Sequence, residues 1–175
     1  MKNFGKENFK ASKLDDVNTP KHSWEHILQF IPNDKTIWCP FYNDGTCKKH
    51  IETLGYKCIH KEIDFFENFK ENGICIDNPP FSLKKNIIEI LYNEGKPFSL
   101  LLPFDTLERK YIYKFHKNLQ IVIPHERYSF KKGAVNDKGY VNDKPPFKSV
   151  WFCWNMKYYL GDRELIFLNK EGQPT

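Results

Sequence analysis

The chain has 175 residues, of which 40% are hydrophobic and 16% aromatic. This length predicts one domain, because domains usually contain roughly 100–200 residues, and the composition excludes a disordered chain. The formal net charge of +5 permits a polyanionic partner, but the sequence pI of about 8.8 is lower than the pI of a dedicated nucleic-acid-binding domain, which exceeds about 9.

Residues 1–16 are polar and charged without periodicity, which predicts a flexible N-terminal arm followed by a single domain over residues 17–175. The opening segment MKNFGKENFK lacks the apolar centre of a signal peptide, and no stretch approaches the ~20 apolar residues that cross a bilayer. The sequence therefore predicts a cytoplasmic protein that does not bind a membrane.

Short apolar runs then alternate with longer amphipathic ones, which predicts an α/β fold with a mostly parallel sheet. The first helix is expected to begin with Thr19 as N-cap and Pro20 in its first turn. Further helices are predicted at Thr46–Leu54, Leu83–Glu94 and Thr106–Phe115. The predicted strands are Thr36–Cys39, Cys58–Ile63, Ile74–Asp77, Phe98–Leu102, Leu119–Ile123 and Val150–Trp154.

Residues 128–148 interrupt this alternation, because they are rich in Gly, Pro, Asn, Asp and Lys and contain few aliphatic side chains. A loop of this length inside a domain is usually a lid or a binding loop, or else it is disordered. Basic and aromatic residues alternate at its start, a pattern that suits a single-stranded or flipped-out nucleic-acid base. They are Arg127, Tyr128, Phe130, Lys131 and Lys132.

Two features raise the question of a metal. The five cysteines form no CxxC pair, and their irregular spacing favours buried free thiols. His22, Glu25 and His26 fit the H-x-x-E-H pattern of a zinc metallopeptidase, but no third ligand is apparent. We therefore predict no metal, with a metallopeptidase as a minor alternative.

The segment Ile74–Ser82 carries the most information about chemistry, because an apolar strand leads directly into Asn78-Pro79-Pro80-Phe81 and then into a helix. Two consecutive prolines fix the backbone at the strand's carboxyl end and remove two N–H donors. The amide oxygen of Asn78 and a neighbouring carbonyl can then accept hydrogen bonds from one amino group, while Phe81 offers a face for a planar base. Ligands of open α/β sheets bind at this end of the strands.

Asn78-Pro79-Pro80-Phe81 resembles the [D/N]-P-P-[Y/F/W] motif of S-adenosylmethionine-dependent amino-methyltransferases, especially the adenine-N6 enzymes of phage type. The resemblance implies a doubly wound, Rossmann-like class I methyltransferase fold, whose central sheet is mostly parallel with a late antiparallel strand at Val150–Trp154. It covers most of residues 17–155.

The resemblance also implies a cofactor site. The segment that runs from Pro40 and Phe41 to Gly45 matches the glycine turn that holds the methionine part of the cofactor, with Asn43 in place of the first glycine; Asn also tolerates left-handed backbone. Asp64 at a strand end matches the acid that bonds the ribose. The complete set of expected cofactor residues is Thr19, Pro20, Pro40, Phe41, Asn43, Gly45, Asp64, Phe65 and Asn78.

The activity implied by the resemblance is transfer of a methyl group to the N6 amino group of adenine, without a metal or a covalent enzyme intermediate. The expected catalytic residues are Asn78, Pro79, Pro80 and Phe81. The expected nucleic-acid-binding residues are Lys84, Lys85, Arg127, Tyr128, Lys131 and Lys132.

DNA is favoured as the substrate because Thr19-Pro20 resembles a segment of the phage-type DNA enzymes. An RNA adenine-N6 methyltransferase and a catalytically silent protein that binds nucleic acid or a partner chain are the alternatives. A partner subunit or a homodimer is left open.

Overall fold

The computed structural model describes residues 17–67, 69–132 and 147–175. The predicted arm at residues 1–16 and residues 133–146 of the predicted loop therefore lie outside the described residues. No described helix is long and apolar enough to cross a membrane.

The secondary structure follows the predicted alternation of strands and helices. The strands are β1 (Val17–Asn18), β2 (Thr36–Trp38), β3 (Lys57–Ile59), β4 (Ile74–Asp77), β5 (Phe98–Pro103), β6 (Leu119–Ile123), β7 (Lys131–Lys132), β8 (Ser149–Trp154) and β9 (Leu165–Phe167). The α-helices are α1 (Lys21–Leu28), α2 (Thr46–Thr53), α3 (Lys84–Asn93) and α4 (Lys157–Leu160). Short 3₁₀ helices span Phe81–Leu83, Phe104–Glu108 and Lys110–Lys114.

Seven strands form one sheet in the order β3-β2-β4-β5-β8-β6-β9, and β1 pairs with β7 in a separate antiparallel ribbon. Among the described strands of the large sheet, only β8 runs antiparallel, between β5 and β6. The prediction of an α/β chain with a mostly parallel sheet and a late antiparallel strand is thus confirmed. All residues of β5 and β8 are buried, as expected for central strands that are covered on both faces.

Two hydrophobic clusters cover the two faces of the sheet. The first joins Trp24 and Ile27 of α1 and Ile51 of α2 to Trp151 of β8. The second joins Ile87 and Leu91 of α3 to residues of β5, β6 and β8. The sheet therefore lies between two helical layers, and its carboxyl edge remains available for a site.

Two helix predictions differ from the structure. The predicted helix Thr106–Phe115 is two 3₁₀ helices, because Arg109 adopts extended backbone between them. The buried Ile112 and Phe115 are three residues apart, which matches the three residues per turn of a 3₁₀ helix. At α1, Pro20 rather than Thr19 occupies the N-cap position, and its carbonyl accepts hydrogen bonds from the N–H and the hydroxyl of Ser23.

Gly73 sets the close approach of β4 to β2. Its φ is +127°, and a Cβ atom there would lie 2.9 Å from the Thr36 carbonyl oxygen. Gly95 also has positive φ, but a Cβ there would meet nothing within 4 Å.

We predict that Gly73→Ala lowers the free energy of unfolding by about 3 kcal/mol, because the backbone of Thr36 must move in addition to the local strain. Gly95→Ala, the matched control, is expected to cost about 1 kcal/mol from left-handed backbone alone. Urea denaturation measures both. Equal losses in the two variants would contradict the close packing at Gly73.

Candidate functional site

A cleft of about 700 Å³ opens at the carboxyl ends of β2, β3 and β4. The strand order reverses here, since β3 lies on one side of β2 while β4 and β5 lie on the other. Such a switch point is where open α/β sheets bind ligands. Nine of the residues expected from the sequence line the cleft: Thr19, Pro40, Phe41, Asn43, Gly45, Asp64, Phe65, Asn78 and Pro80. Pro20, Pro79 and Phe81 are not among the lining residues.

Asp77 joins the two strands that form the floor of the cleft. One carboxylate oxygen accepts the N–H of Phe41, which follows β2, and the other accepts the N–H of Asn78, each at 2.8 Å. Burial raises the pKa of the Asp77 carboxyl to about 8. The hydrogen bonds from the Phe41 and Asn78 N–H groups lower this pKa, but burial has the larger effect.

Asn78 supplies an unused acceptor. Its Nδ2 donates a hydrogen bond to the Thr19 hydroxyl oxygen at 2.9 Å, which orients the amide. Its Oδ1 is buried and has no hydrogen-bond partner among the described residues. An unpaired buried acceptor costs roughly 1–3 kcal/mol, so this oxygen is kept at the cleft without a stabilising role in the fold.

Of the other residues of the Asn78-Pro79-Pro80-Phe81 motif, one lines the cleft and two do not. Pro79 is buried and Pro80 lines the cleft. The ring of Phe81 is half-buried and contacts Phe147 edge to face, with 5.8 Å between the ring centroids. The ammonium group of Lys84 donates a hydrogen bond to the Phe81 carbonyl oxygen at 3.2 Å. Lys84, which was expected to bind nucleic acid, thus contacts the backbone of the motif.

The turn after β2 depends on Gly45, which has a φ of +78° and is the N-cap of α2. Asn43 is not among the described residues with positive φ. Left-handed backbone is therefore not the reason why an asparagine fits at this position of the turn. Its Nδ2 instead donates to Oδ1 of Asn18 in β1 at 3.2 Å. The turn is thereby attached to the β1–β7 ribbon.

Asp44 extends the same network. Its carboxylate accepts hydrogen bonds from the Thr46 N–H and from Nδ2 of Asn18, each at 2.8 Å. Partial burial raises the pKa of Asp44, but the hydrogen bonds from Thr46 and Asn18 outweigh burial and lower it below the usual value. Sequence analysis missed Asp44, although an Asx residue two positions before a helical N–H is a recognisable turn signal.

The wall after β3 differs from the prediction. The strand ends at Ile59, so Asp64 does not end it but lies five residues further, exposed, where its carboxylate accepts the Phe66 N–H at 2.9 Å. After Ile59 the chain no longer pairs with β2 and bends at Glu62 and Ile63, while Nδ1 of His60 lies 2.7 Å from the Cys39 carbonyl oxygen. Glu62, which sequence analysis missed, also lines the cleft.

Aromatic rings support this wall. Phe65 is buried, and its ring packs against Trp38 and Phe41 at centroid distances of 6.0 and 5.1 Å. Tyr42 stacks on His60 at 4.8 Å. Tyr42 and Ile63 remain more than 40% exposed at the cleft, which gives it apolar surfaces as well as polar ones.

The charge of the cleft is negative. Four acidic side chains line it, and no Lys or Arg does so among the described residues. Asp44, Glu62 and Asp64 lie in the walls of the cleft, whereas Asp77 is buried at its floor, where burial raises its pKa and so favours the neutral carboxyl. Such a wall favours a ligand with positive charge and disfavours a phosphate or pyrophosphate, even though the whole chain carries a charge of +5.

Outside the cleft, one expected nucleic-acid residue proves to be structural. Tyr128 is 1% exposed, and its hydroxyl lies 2.9 Å from Nδ1 of His26, so it belongs to the core and is not available to nucleic acid. Arg127 and Lys85 are exposed. Lys131 and Lys132 form β7, and Lys131 pairs with Asn18 of the cleft.

The H-x-x-E-H pattern does not converge on a metal site. Nδ1 of His26 interacts with Tyr128, and burial, together with His22, lowers the pKa of His26. Within the described ranges, His22, Glu25 and His26 do not form a group of ligand atoms within 4.8 Å of one another. The metallopeptidase alternative thus has no support from the geometry.

Comparison with known proteins gives no relative. No protein-family model, no curated protein and no solved structure matches the chain. The function therefore has to be argued from the residues of the cleft.

We predict that Asp77→Asn lowers the free energy of unfolding by about 1–3 kcal/mol, because an amide offers one acceptor where two backbone N–H groups need two. Urea denaturation at pH 7 is the measurement. Asp162→Asn, which changes an exposed acid paired with Lys157, is the control and should cost less than about 1 kcal/mol. An Asp77→Asn variant as stable as the unaltered chain would contradict the role of the Asp77 carboxylate in joining the segments after β2 and β4.

Proposed function

We propose that this protein is an S-adenosylmethionine-dependent methyltransferase that acts on the N6 amino group of adenine in nucleic acid, with DNA as the favoured substrate. The observation that carries the proposal is the unpaired Oδ1 of Asn78, next to an acidic cleft at the switch point of the sheet. An acceptor is what an amino-group substrate requires, and a negative wall is what a cationic methyl donor requires.

The cleft has the size and chemistry for this cofactor. Its volume is within the roughly 300–1,000 Å³ of small-molecule sites. S-adenosylmethionine carries positive charge on its sulfonium and amino groups, which the acidic side chains of the cleft would stabilise. A dinucleotide with a pyrophosphate would face the same acids unfavourably.

Individual residues suit the parts of the cofactor. Asp44 lies beside Gly45 in the turn that is expected to hold the methionine part. Trp24 lines the cleft, and its indole N–H has no partner among the described residues, so it can donate to a carboxylate together with the Thr19 hydroxyl. Asp64 is exposed on the opposite wall and is our candidate for the ribose hydroxyls.

When bound, S-adenosylmethionine supplies an electrophilic methyl group. Asn78 would accept a hydrogen bond from the adenine amino group at Oδ1 and stabilise the positive charge that develops on the nitrogen. The resemblance adds the Pro79 carbonyl as a second acceptor and Phe81 as the stacking ring. The fixed proline backbone holds these groups in place before substrate arrives.

The division of charge supports a nucleic-acid substrate. The acidic cleft would repel phosphates, so only a base can enter it, while the nucleic-acid backbone would remain outside, where exposed basic residues such as Lys85 and Arg127 can meet it. In a duplex the adenine must be flipped out, at a cost of a few kcal/mol. The strand β7 adjoins the cleft, because its Lys131 pairs with Asn18, which lines the cleft.

We predict that Asp64→Asn weakens the binding of S-adenosylmethionine about ten-fold, which corresponds to about 1.4 kcal/mol, because a charged acceptor for the ribose hydroxyls is lost. Isothermal titration calorimetry measures the change. Asp162→Asn, far from the cleft in sequence and exposed, should bind as the unaltered chain does. Unchanged affinity in Asp64→Asn would contradict the ribose assignment.

We predict that Asn78→Ala keeps cofactor binding within about three-fold but lowers methyl transfer to adenine-containing DNA and RNA oligonucleotides by roughly 10²–10³-fold. Product N6-methyladenine is quantified by mass spectrometry. The exposed Asn93→Ala in α3 is the matched control and should retain full transfer. Unaltered turnover in Asn78→Ala would refute the catalytic role, and cofactor binding without transfer in the unaltered chain would favour the silent alternative.

A further inference from the structure

The floor of the cleft contains a cluster of metal-ligand side chains that the proposed methyl transfer does not use. Cys39 directly follows β2 and is buried, Cys47 lies in the first turn of α2, and Asp77 ends β4. The two Sγ atoms and a carboxylate oxygen of Asp77 all lie within 4.8 Å of one another. Thiolate and carboxylate are both ordinary ligands of Zn²⁺.

His60 lies beside this cluster. Both of its ring nitrogens lie 3.5 Å from Sγ of Cys47, but His60 does not belong to the group of mutually close ligand atoms, so its ring would move toward Cys39 and Asp77 when it binds the ion as a fourth ligand. Nδ1 lies 2.7 Å from the Cys39 carbonyl oxygen. A histidine that donates one ring N–H to a carbonyl holds its other nitrogen ready as a ligand, as metal-bound histidines commonly do.

The cluster is also accessible and oriented. Cys47, His60 and Asp77 all line the cleft, so an ion can enter from it. Tyr42 stacks on the His60 ring, with 4.8 Å between the ring centroids. The Cys39 thiol donates to the Ile76 carbonyl at 3.0 Å, and this proton would be released on binding.

We propose that Cys39, Cys47, Asp77 and His60 bind a thiophilic divalent cation of the Zn²⁺ type at the floor of the cleft. Two sulfur ligands select such an ion over Mg²⁺ or Ca²⁺, which prefer oxygen. The bound ion would join β2, β3, β4 and α2, since each ligand comes from, or directly follows, a different element. This spread explains why no cysteine spacing pattern signals the site in the sequence.

Titration of the reduced, metal-free protein with Co²⁺, in the absence of any methyl donor, tests the proposal. We expect one ion per chain, a thiolate-to-cobalt charge-transfer band and the intense visible bands of four-coordinate Co²⁺. Zn²⁺ should displace the Co²⁺ and raise the melting temperature. Saturation without a charge-transfer band, or equal binding of Mg²⁺, would overturn the site.

Variants locate the ion. Cys47→Ser changes a half-buried residue and should lower the Co²⁺ affinity at least ten-fold while the fold, followed by circular dichroism, is retained. His60→Gln should also weaken binding but keep the charge-transfer band. Cys153→Ser is the matched control, because Cys153 is buried in β8 beside Ser99 and should bind as the unaltered chain does. Unchanged affinity in both Cys47→Ser and His60→Gln would refute the assignment, whatever the outcome for methyl transfer.

Discussion

The buried carboxyl of Asp77 is the interaction on which the geometry of the cleft depends. It accepts one N–H from the segment after β2 and one from the segment after β4, so the two halves of the cleft are fixed relative to each other. The first half contains Phe41 and the turn to Gly45, and the second begins with Asn78. A single buried group thus links the part of the cleft expected to hold a cofactor to the part expected to hold a reacting amino group.

Asn78 and Thr19 add a second link across the cleft. The bond from the Asn78 amide to the Thr19 hydroxyl joins β4 to the segment before α1 and leaves Oδ1 as the unpaired atom. Had the amide used both of its polar atoms within the fold, Asn78 would be a structural residue only. The retained acceptor is the reason to infer chemistry at this position.

The distribution of charge determines which molecules suit the protein. The whole chain is basic, yet the described cleft wall is acidic and lacks Lys and Arg. A cationic ligand inside and a polyanion outside are both favoured by this arrangement. A methyltransferase with a cationic methyl donor and a nucleic-acid substrate would have both kinds of ligand. A dinucleotide-dependent enzyme or a phosphate-binding protein would instead have to hold an anionic ligand inside the cleft.

Much of the fold could be predicted because strands buried on both faces are continuous apolar runs; β4 and β6 have the predicted bounds, and β5 differs by one residue. The Asn78 motif was equally visible because its residues are consecutive. What the sequence could not show depends on contacts between distant residues. Tyr128 resembles an exposed loop aromatic until its contact with His26 is seen, and Asp77 resembles an ordinary polar strand end until its two N–H partners are known.

The most direct test of the account is a calorimetric comparison of two ligands that share an adenosine group: S-adenosylhomocysteine, the demethylated product of the cofactor, and NAD, which carries a pyrophosphate. The charge and polarity of the cleft predict saturable one-to-one binding of S-adenosylhomocysteine and no measurable binding of NAD. The folded protein binding NAD, or binding neither ligand, would contradict the account of the cleft as a methyl-donor site.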